Sequence, residues 1–377
     1  MHIRNIRSTR RGFAVGLSVL LMLGGAFALR ASQRDHAATT LNDAAHAQST
    51  AGREARNRPA RVTLSALCNQ EFRFEHMIDV GEGVRIHVIE RFSGRSVLRF
   101  PHRALLMLPA TLAANTYFDA EVEGDPSFNA LHQAASRGFF GFAMSYEGFG
   151  ESSIPEDGTT VTAARILDHT GKVVEWIRTQ RGVPKVDVFG TSIGAGIAIA
   201  IGGTESPIDF HHINRVAIAT NVYKTFTPAA QAMFTPAFQA LLLGLPGGFI
   251  TTTPATYVPI FAGMDRAALA WANATIPGTF PVGPVLEGFA LPFFEAAPGR
   301  VPLLQFWGSE SPTTPWADVE QLQHEYGGLH ALVVYDGAAH NPILEPVRHQ
   351  FWEQVEAFLN EGASSDLSVC DDVVAHP

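Results

Sequence analysis

A serine between two glycines is the first feature of this sequence that could do chemistry. The stretch VDVFGTSIGAG (residues 186–196) places Ser192 directly after a short apolar run. Its G-x-S-x-G pattern occurs where a strand turns sharply into a helix and presents the serine hydroxyl. The motif alone is weak evidence. The small residues of IGAGIAIAIGG that follow strengthen it, because they would let the new helix lie close to a sheet.

A serine hydroxyl is a poor nucleophile unless a base accepts its proton, so the motif requires a partner. His340, in DGAAHNPILEP (residues 336–346), lies on a loop between the last predicted strand and the last predicted helix. His211 and His212 are predicted to be loop or surface residues, because no third ligand at a suitable spacing accompanies them. We therefore expect neither a metal nor another cofactor.

Strands and helices alternate along the sequence around these residues. Residues 71–92 alternate apolar and polar side chains about a glycine turn and predict a hairpin. Short apolar runs predict buried strands at residues 104–109, 138–145, 186–190, 215–220, 301–307 and 331–336. Helices are predicted at residues 129–138, 162–182, after Ser192, at 315–328 and at 343–362. This alternation predicts an α/β fold with a mostly parallel sheet covered by helices.

With these motifs the chain resembles the α/β-hydrolase superfamily, over roughly residues 62–362. Besides the serine motif, three stretches carry the likeness: SYEGFGESSIP (145–155), FWGSESPTTPWAD (306–318) and GAAHNPILEP (337–346). They are similar to the family's turn after strand four, its acid loop and its histidine loop. The resemblance implies an eight-stranded, mostly parallel sheet flanked by helices, with a helical lid inserted after strand six. It also implies a serine esterase or lipase-like activity.

The resemblance assigns roles to individual residues. Ser192 would attack an acyl carbon, and His340 would take and return the proton. The backbone N–H groups of Thr111 and Ile193 would bind the oxyanion. The sequence departs from the family after strand three, where Pro109-Ala110 stands in place of the usual His-Gly.

The third triad member is the least defined part of the predicted site. Ser311 occupies the usual aspartate position, three residues after Gly308, and the carboxylate lies one residue earlier at Glu310. A glutamate could orient the histidine if the loop is shifted by one position, so Glu310 is the favoured acid. The alternatives are Asn221 or Asp265 after strand six, and Asp336, which is expected to end a strand.

Residues 222–300 have an unusual composition. Phenylalanine and proline recur there, and the charged residues are few: Lys224, Asp265, Arg266, Glu287, Glu295 and Arg300. Such a segment is too apolar for a solvated loop, and long insertions of this kind are often functional. It is predicted to be a mainly helical lid; the alternative is that it simply extends the core. The predicted core then comprises residues 61–221 and 301–362.

The two ends of the chain suggest export. Basic residues precede an uncharged stretch at residues 13–29, so residues 1–31 resemble a twin-arginine signal peptide, with an uncleaved membrane anchor as the alternative. Residues 32–60 are predicted to be a linker, and residues 363–377 a C-terminal tail. The only two cysteines are Cys68, just before the first predicted strand, and Cys370, near the end of the sequence. One disulfide between them is the simplest expectation for an exported protein, rather than catalytic thiol chemistry.

Composition limits the partners that this chain can bind. The formal net charge of −9 argues against a nucleic-acid binder, which needs clustered lysine and arginine. The sequence thus predicts an exported serine hydrolase that cleaves an ester or related acyl bond of a small hydrophobic substrate. Amide or peptide, thioester and lactone hydrolysis would use the same site. A non-catalytic hydrolase-like binding protein and a membrane-tethered scaffold are the competing interpretations from different functional classes.

Overall fold

The computed structural model describes residues 64–203, 210–258, 260–289, 291–292, 294, 299–361, 367–368 and 370. The predicted signal peptide and linker lie outside these residues, as does most of the predicted tail. No helix of the described part of the chain is long and apolar enough to cross a membrane.

Eight of the strands form the central sheet. The strands are β1 Glu71–Asp79, β2 Arg85–Ser93, β3 Arg99–Phe100, β4 Ala104–Leu108, β5 Phe140–Met144, β6 Val186–Thr191, β7 Ile213–Ala219, β8 Phe249–Thr251, β9 Thr279–Pro281, β10 Leu303–Gly308, β11 His330–Tyr335 and β12 Leu367–Ser368. The sheet has the order β1-β2-β5-β4-β6-β7-β10-β11. The pairings of β2 with β1 and β5 are antiparallel and all others are parallel. The predicted hairpin and the mostly parallel eight-stranded sheet are therefore confirmed.

Helices cover both faces of this sheet. They are α1 Leu64–Asn69, α2 Gly94–Leu98, α3 Ala130–Ser136, α4 Ala163–Arg181, α5 Ile193–Gly202, α6 Pro228–Gln231, α7 Pro236–Leu243, α8 Pro254–Tyr257, α9 Arg266–Thr275, α10 Gly283–Leu286, α11 Trp316–Tyr326 and α12 Arg348–Asn360. Side chains of β4 alternate between two buried clusters, with Leu106 in the cluster of α4 and α5 and Leu105 in that of α3 and α12. Because both faces are covered, β4, β5 and β6 are buried throughout their lengths, as continuous apolar runs predict.

The 222–300 segment lies between β7 and β10, and so follows the sixth strand of the sheet in chain order. Its described residues include α6 to α10 and a small antiparallel sheet of β8 and β9. Short helices are thus observed in this segment together with the small sheet and connecting loops. Its role as a lid stays a prediction.

Cys68 in α1 and Cys370 near the C-terminus form a disulfide across 302 residues of sequence. The predicted pairing of the two cysteines is therefore confirmed. The bond joins the start of the described chain to its end.

Candidate active site

Ser192 occupies a strained corner of the backbone. β6 ends at Thr191, α5 begins at Ile193, and Ser192 between them has φ 54° and ψ −118°. A positive φ is uncommon in residues other than glycine, and such strain is concentrated at functional sites. The Ser192 N–H donates to the Ala219 carbonyl at 3.3 Å, which ties the corner to β7. The sharp strand-to-helix turn predicted from the motif is present.

The two glycines of the motif are required by close backbone approaches. A Cβ atom on Gly190 would lie 2.2 Å from the Gly194 carbonyl oxygen. A Cβ atom on Gly194 would lie 2.2 Å from the carbonyl oxygen of Leu108 at the end of β4. Both distances are far below van der Waals contact, so the helix can start here only because these positions lack side chains.

The predicted oxyanion donors belong to the residue after Ser192 and to the turn after β4. Ile193 is the first residue of α5, and the first N–H groups of a helix have no intrahelical acceptor. Thr111 lies in the turn after β4 and lines the same cavity as Ser192. Two tyrosine hydroxyls hold this turn: that of Tyr257 donates to the Leu112 carbonyl and that of Tyr146 to the Pro109 carbonyl, both at 2.8 Å.

His340 is buried and lines the same cavity as Ser192. Its Nδ1 lies 3.1 Å from the hydroxyl oxygen of Thr313. Burial lowers the pKa of His340 to about 4. At neutral pH the imidazole is therefore uncharged, which is the form that can accept a proton.

A buried carboxylate holds the loop that carries His340. The two oxygens of Glu345 accept hydrogen bonds from the N–H groups of Ala339 at 2.7 Å and Asn341 at 2.6 Å. Burial raises the pKa of Glu345, and these backbone donors oppose the rise. The Asn341 side chain is fixed in turn by the Tyr117 hydroxyl, which donates to Oδ1 at 2.8 Å. Glu345 was not predicted from the sequence, because a glutamate in the first turn of a predicted helix usually lies on the surface.

The structure does not bring Glu310 to His340, and this part of the predicted site needs correction. The Glu310 side chain is exposed. Its N–H donates to the Ala338 carbonyl at 2.9 Å, and the N–H of Ser311 donates to the Gly308 carbonyl at 3.0 Å. These bonds close a tight turn that leaves Glu310 facing solvent, so the loop is not shifted as the prediction required.

The remaining three acid candidates lie in different surroundings. Asp336 is exposed and accepts a hydrogen bond from the Ser309 hydroxyl at 3.1 Å. Asp265 caps α9 by accepting from the Ala267 N–H at 3.0 Å. Asn221 is buried, and its side chain has no hydrogen-bond partner within the described residues. In the described part of the chain, the side chain hydrogen-bonded to the His340 ring is that of Thr313.

The cavity over Ser192 is apolar and has a volume of about 280 Å³. The 222–300 segment provides much of its lining, including Phe226, Phe234 and Ile276. Among the described side chains that line it there is no Asp, Glu, Lys or Arg, and its one histidine, His340, is uncharged at neutral pH. The site therefore combines an apolar binding space with one serine, one imidazole and backbone donors.

Neither of the adjacent histidines is near this site. His211 is exposed in a short turn before β7, and His212 Nδ1 lies 3.5 Å from Glu175 Oε2. Across the described residues, no three His, Cys, Asp or Glu side chains are grouped so that they could hold a metal ion.

No protein-family model matches this sequence, and no curated protein sequence matches it. Solved structures do. A soluble variant of monoglyceride lipase from Saccharomyces cerevisiae superposes with a TM-score of 0.57 at 13% identity, over 77% of this chain and 96% of the lipase. A hydrolase from Pseudomonas aeruginosa PA01 superposes with a TM-score of 0.54 at 17% identity, over 76% of this chain and 98% of the hydrolase. The thioesterase domain from the curacin biosynthetic pathway superposes with a TM-score of 0.52 at 13% identity, over 76% of this chain and 99% of the domain. At such identities the likeness establishes the fold alone.

Proposed function

From the premise that the chain has the α/β-hydrolase fold, we propose that it is a serine hydrolase that cleaves an ester or related acyl bond. One observation carries the proposal. Ser192, on a strained corner, and His340, buried and uncharged, line one apolar cavity beside backbone N–H groups. These are the parts that acyl transfer requires: a nucleophile, a base and donors for the oxyanion.

The proposed reaction has two halves. Ser192 Oγ attacks the acyl carbon while His340 takes its proton, and the N–H groups of Thr111 and Ile193 stabilise the negative oxygen that forms. The tetrahedral intermediate collapses when His340 gives the proton to the leaving oxygen, which departs as an alcohol. Water then repeats the sequence on the acyl-serine. The products are a carboxylic acid and free Ser192.

The lining of the cavity supports a hydrophobic acyl or alcohol group in the substrate. Burying apolar surface in such a space gains roughly 25 cal/mol per Å², whereas a charged group would lose its hydration and meet no charged side chain among the described lining residues at neutral pH. The 222–300 segment covers this space and is proposed as the lid. Amides, thioesters and lactones remain within the proposed reaction class, since they use the same machinery.

Export is also part of the proposal. The Cys68–Cys370 disulfide supports it, because such bonds persist in oxidising compartments. The signal-like residues 1–31 point the same way. The proposed contact with a membrane is limited to that segment, should it stay uncleaved, and nucleic acid is not a proposed partner.

A panel of p-nitrophenyl esters of increasing acyl length tests the proposed activity. We expect turnover to improve with chain length until the cavity is filled. The Ser192→Ala variant should lose at least about 1,000-fold in kcat, whereas Ser136→Ala, an exposed serine of α3, should match the wild type. Full activity of Ser192→Ala would overturn the proposal.

A ligand-carrying protein without catalysis is the second candidate function. The observation that favours it is the contact of His340 with a threonine hydroxyl in place of a carboxylate. A fluorophosphonate probe separates the two candidates, because it labels only an activated serine. Labelling of Ser192 supports the hydrolase, and an unlabelled chain that still binds fatty acyl compounds supports the carrier.

A further inference from the structure

The partner of the His340 ring is neutral. In a triad a carboxylate accepts the Nδ1–H of the histidine and stabilises the imidazolium. Here the atom 3.1 Å from Nδ1 is the hydroxyl oxygen of Thr313. We propose that Thr313 is the positioning residue of this site and takes the place of the triad carboxylate. This inference rests on the proposed function.

The contact selects one tautomer of the base. When the Nδ1–H of His340 donates to Thr313 Oγ1, Nε2 carries no hydrogen and is free to accept the proton of Ser192. The Thr313 hydroxyl hydrogen can then point to Thr314 Oγ1, 3.4 Å away. A valine at position 313 would keep the shape of this side chain and remove the acceptor.

One contact holds Thr313 and a second holds its neighbour Thr314. The Thr313 carbonyl accepts from the N–H of Thr227, the N-cap of α6, at 2.9 Å. The indole N–H of Trp307 in β10 donates to the Thr314 carbonyl at 3.0 Å. Because Thr227 belongs to the 222–300 segment, the partner of the base is fixed jointly by the sheet and by the proposed lid.

The charged groups around His340 all have other contacts or face solvent. On its own loop, Glu345 binds backbone N–H groups, and Asp336 at the end of β11 is exposed. On the loop after β10, Glu310 is exposed. On the 222–300 segment, Asp265 caps α9, and on α12 Arg348 lies 4.0 Å from Asp265.

Tyr117 and Tyr257 are the other titratable side chains that line the cavity with His340, and burial raises the pKa of each. Both hydroxyls are therefore neutral near neutral pH. Within the described residues no ion pair reaches the imidazole, so no counter-charge raises its pKa. The consequence is that His340 stays an uncharged base far into the acid range.

Substitutions of Thr313 by valine and by serine test its role in positioning His340. Thr313→Val should lower kcat/KM about tenfold, mainly through kcat, because one neutral hydrogen bond is lost. Thr313→Ser, which keeps the hydroxyl, should restore most of the activity. Thr251→Val, at an exposed Thr–Thr contact between β8 and β9, serves as the matched control. Wild-type activity of Thr313→Val, or equal losses in the Val and Ser variants, would overturn the proposal.

Thr313→Asp tests the role through the pH dependence of kcat/KM, which would not change if Thr313 only supported the structure of the loop. A carboxylate beside the ring should raise the pKa of His340 by roughly one to three units, so the acid limb of kcat/KM should shift upward by that amount. An unchanged acid limb would refute the positioning role.

The same shift can be followed without catalysis. NMR titration of the His340 ring in the full chain, assigned by comparison with His340→Gln, should show the higher pKa in Thr313→Asp. If the pKa of His340 rises in Thr313→Asp but the wild-type chain shows no hydrolase activity, the contact between residues 313 and 340 is supported and the proposed function is rejected. A titration that does not shift would reject the positioning role itself.

Discussion

The corner at Ser192 and the loop that faces His340 meet at one cavity but are built in different ways. At the corner, the residue types that permit the geometry lie close together in sequence: Gly190 and Gly194 allow backbone contacts, one of them with Leu108 of β4, that no side chain would permit. At the loop after β10, bonds to distant residues decide which side chain reaches His340. Glu310 is held outward by a bond to Ala338, and Thr313 is held inward by one to Thr227.

This difference separates a feature whose required residue types are adjacent in sequence from one whose side-chain placement depends on bonds to distant residues. Substitutions at the corner should therefore have large effects that follow directly from sterics. Substitutions in the loops should have effects that depend on which side chain the distant bonds have placed at the ring.

Gly194→Ala should have the largest effect. The added Cβ would lie 2.2 Å from the Leu108 carbonyl oxygen, and relieving this clash would require the backbone of β4 or α5 to shift. We expect a loss of at least about 3 kcal/mol in the free energy of unfolding, together with loss of turnover. Urea unfolding measures the first and ester hydrolysis the second. Gly244→Ala, where the nearest atom is 3.5 Å from the new Cβ, should be nearly neutral; equal stability of the two variants would contradict the account.

Glu345→Gln should have an intermediate effect on the histidine loop. The Glu345 carboxylate accepts hydrogen bonds from the backbone N–H groups of Ala339 and Asn341. In the glutamine variant, an NH₂ group would face one of these two donors, and that hydrogen bond would be lost. We expect a loss of about 2 kcal/mol in the free energy of unfolding and roughly tenfold in kcat/KM. Glu353→Gln, an exposed position of α12, is the control. An unaltered kcat/KM in Glu345→Gln would show that this carboxylate does not position His340.

His340 should also make stability depend on pH. Its pKa is about 4 in the folded chain and about 6.5 when unfolded, so between these values only the unfolded chain binds the proton. Stability contributed by the neutral imidazole is therefore lost as pH falls through this window. From pH 7 to pH 5 the wild type should lose about 2 kcal/mol more than His340→Gln in urea unfolding. Parallel losses in the two proteins would show that the ring is not buried in neutral form.

Glu310→Gln should have the smallest effect. Because the side chain faces solvent, we expect kcat/KM within about twofold of wild type and a change in unfolding free energy of no more than about 0.5 kcal/mol. Ester turnover across pH 4 to 9 is the measurement. A loss of tenfold or more would return Glu310 to the role that the sequence suggested.

The same distinction explains what the sequence could and could not predict. Strands β4, β5 and β6 were predictable because continuous apolar runs mark strands buried on both faces. The run of β11 also predicted a buried strand, but β11 lies at the edge of the sheet and is only partly buried. The nucleophile was predictable because glycine spacing encodes the corner locally. The pairing of Cys68 with Cys370 was predictable because the sequence has no other cysteines.

The partner of His340 could not be predicted, because the answer depends on contacts far apart in sequence. Glu310, Ser311 and Thr313 lie within four residues of one another, and bonds to the distant residues Ala338 and Thr227 set the positions of Glu310 and Thr313. Ser311 stands at the expected aspartate position, yet its hydroxyl accepts from the Thr314 N–H at 3.3 Å. Glu345 was missed for a related reason, since only the folded loop shows that its carboxylate is buried.

The most direct test of the account is the rate at which a fluorophosphonate labels the full chain, with the modified peptide identified by mass spectrometry. The label should be found on Ser192, and labelling should slow by at least about 100-fold in His340→Gln. A label at another residue, no label at all, or equal rates in the two proteins would contradict the claim that His340 activates Ser192.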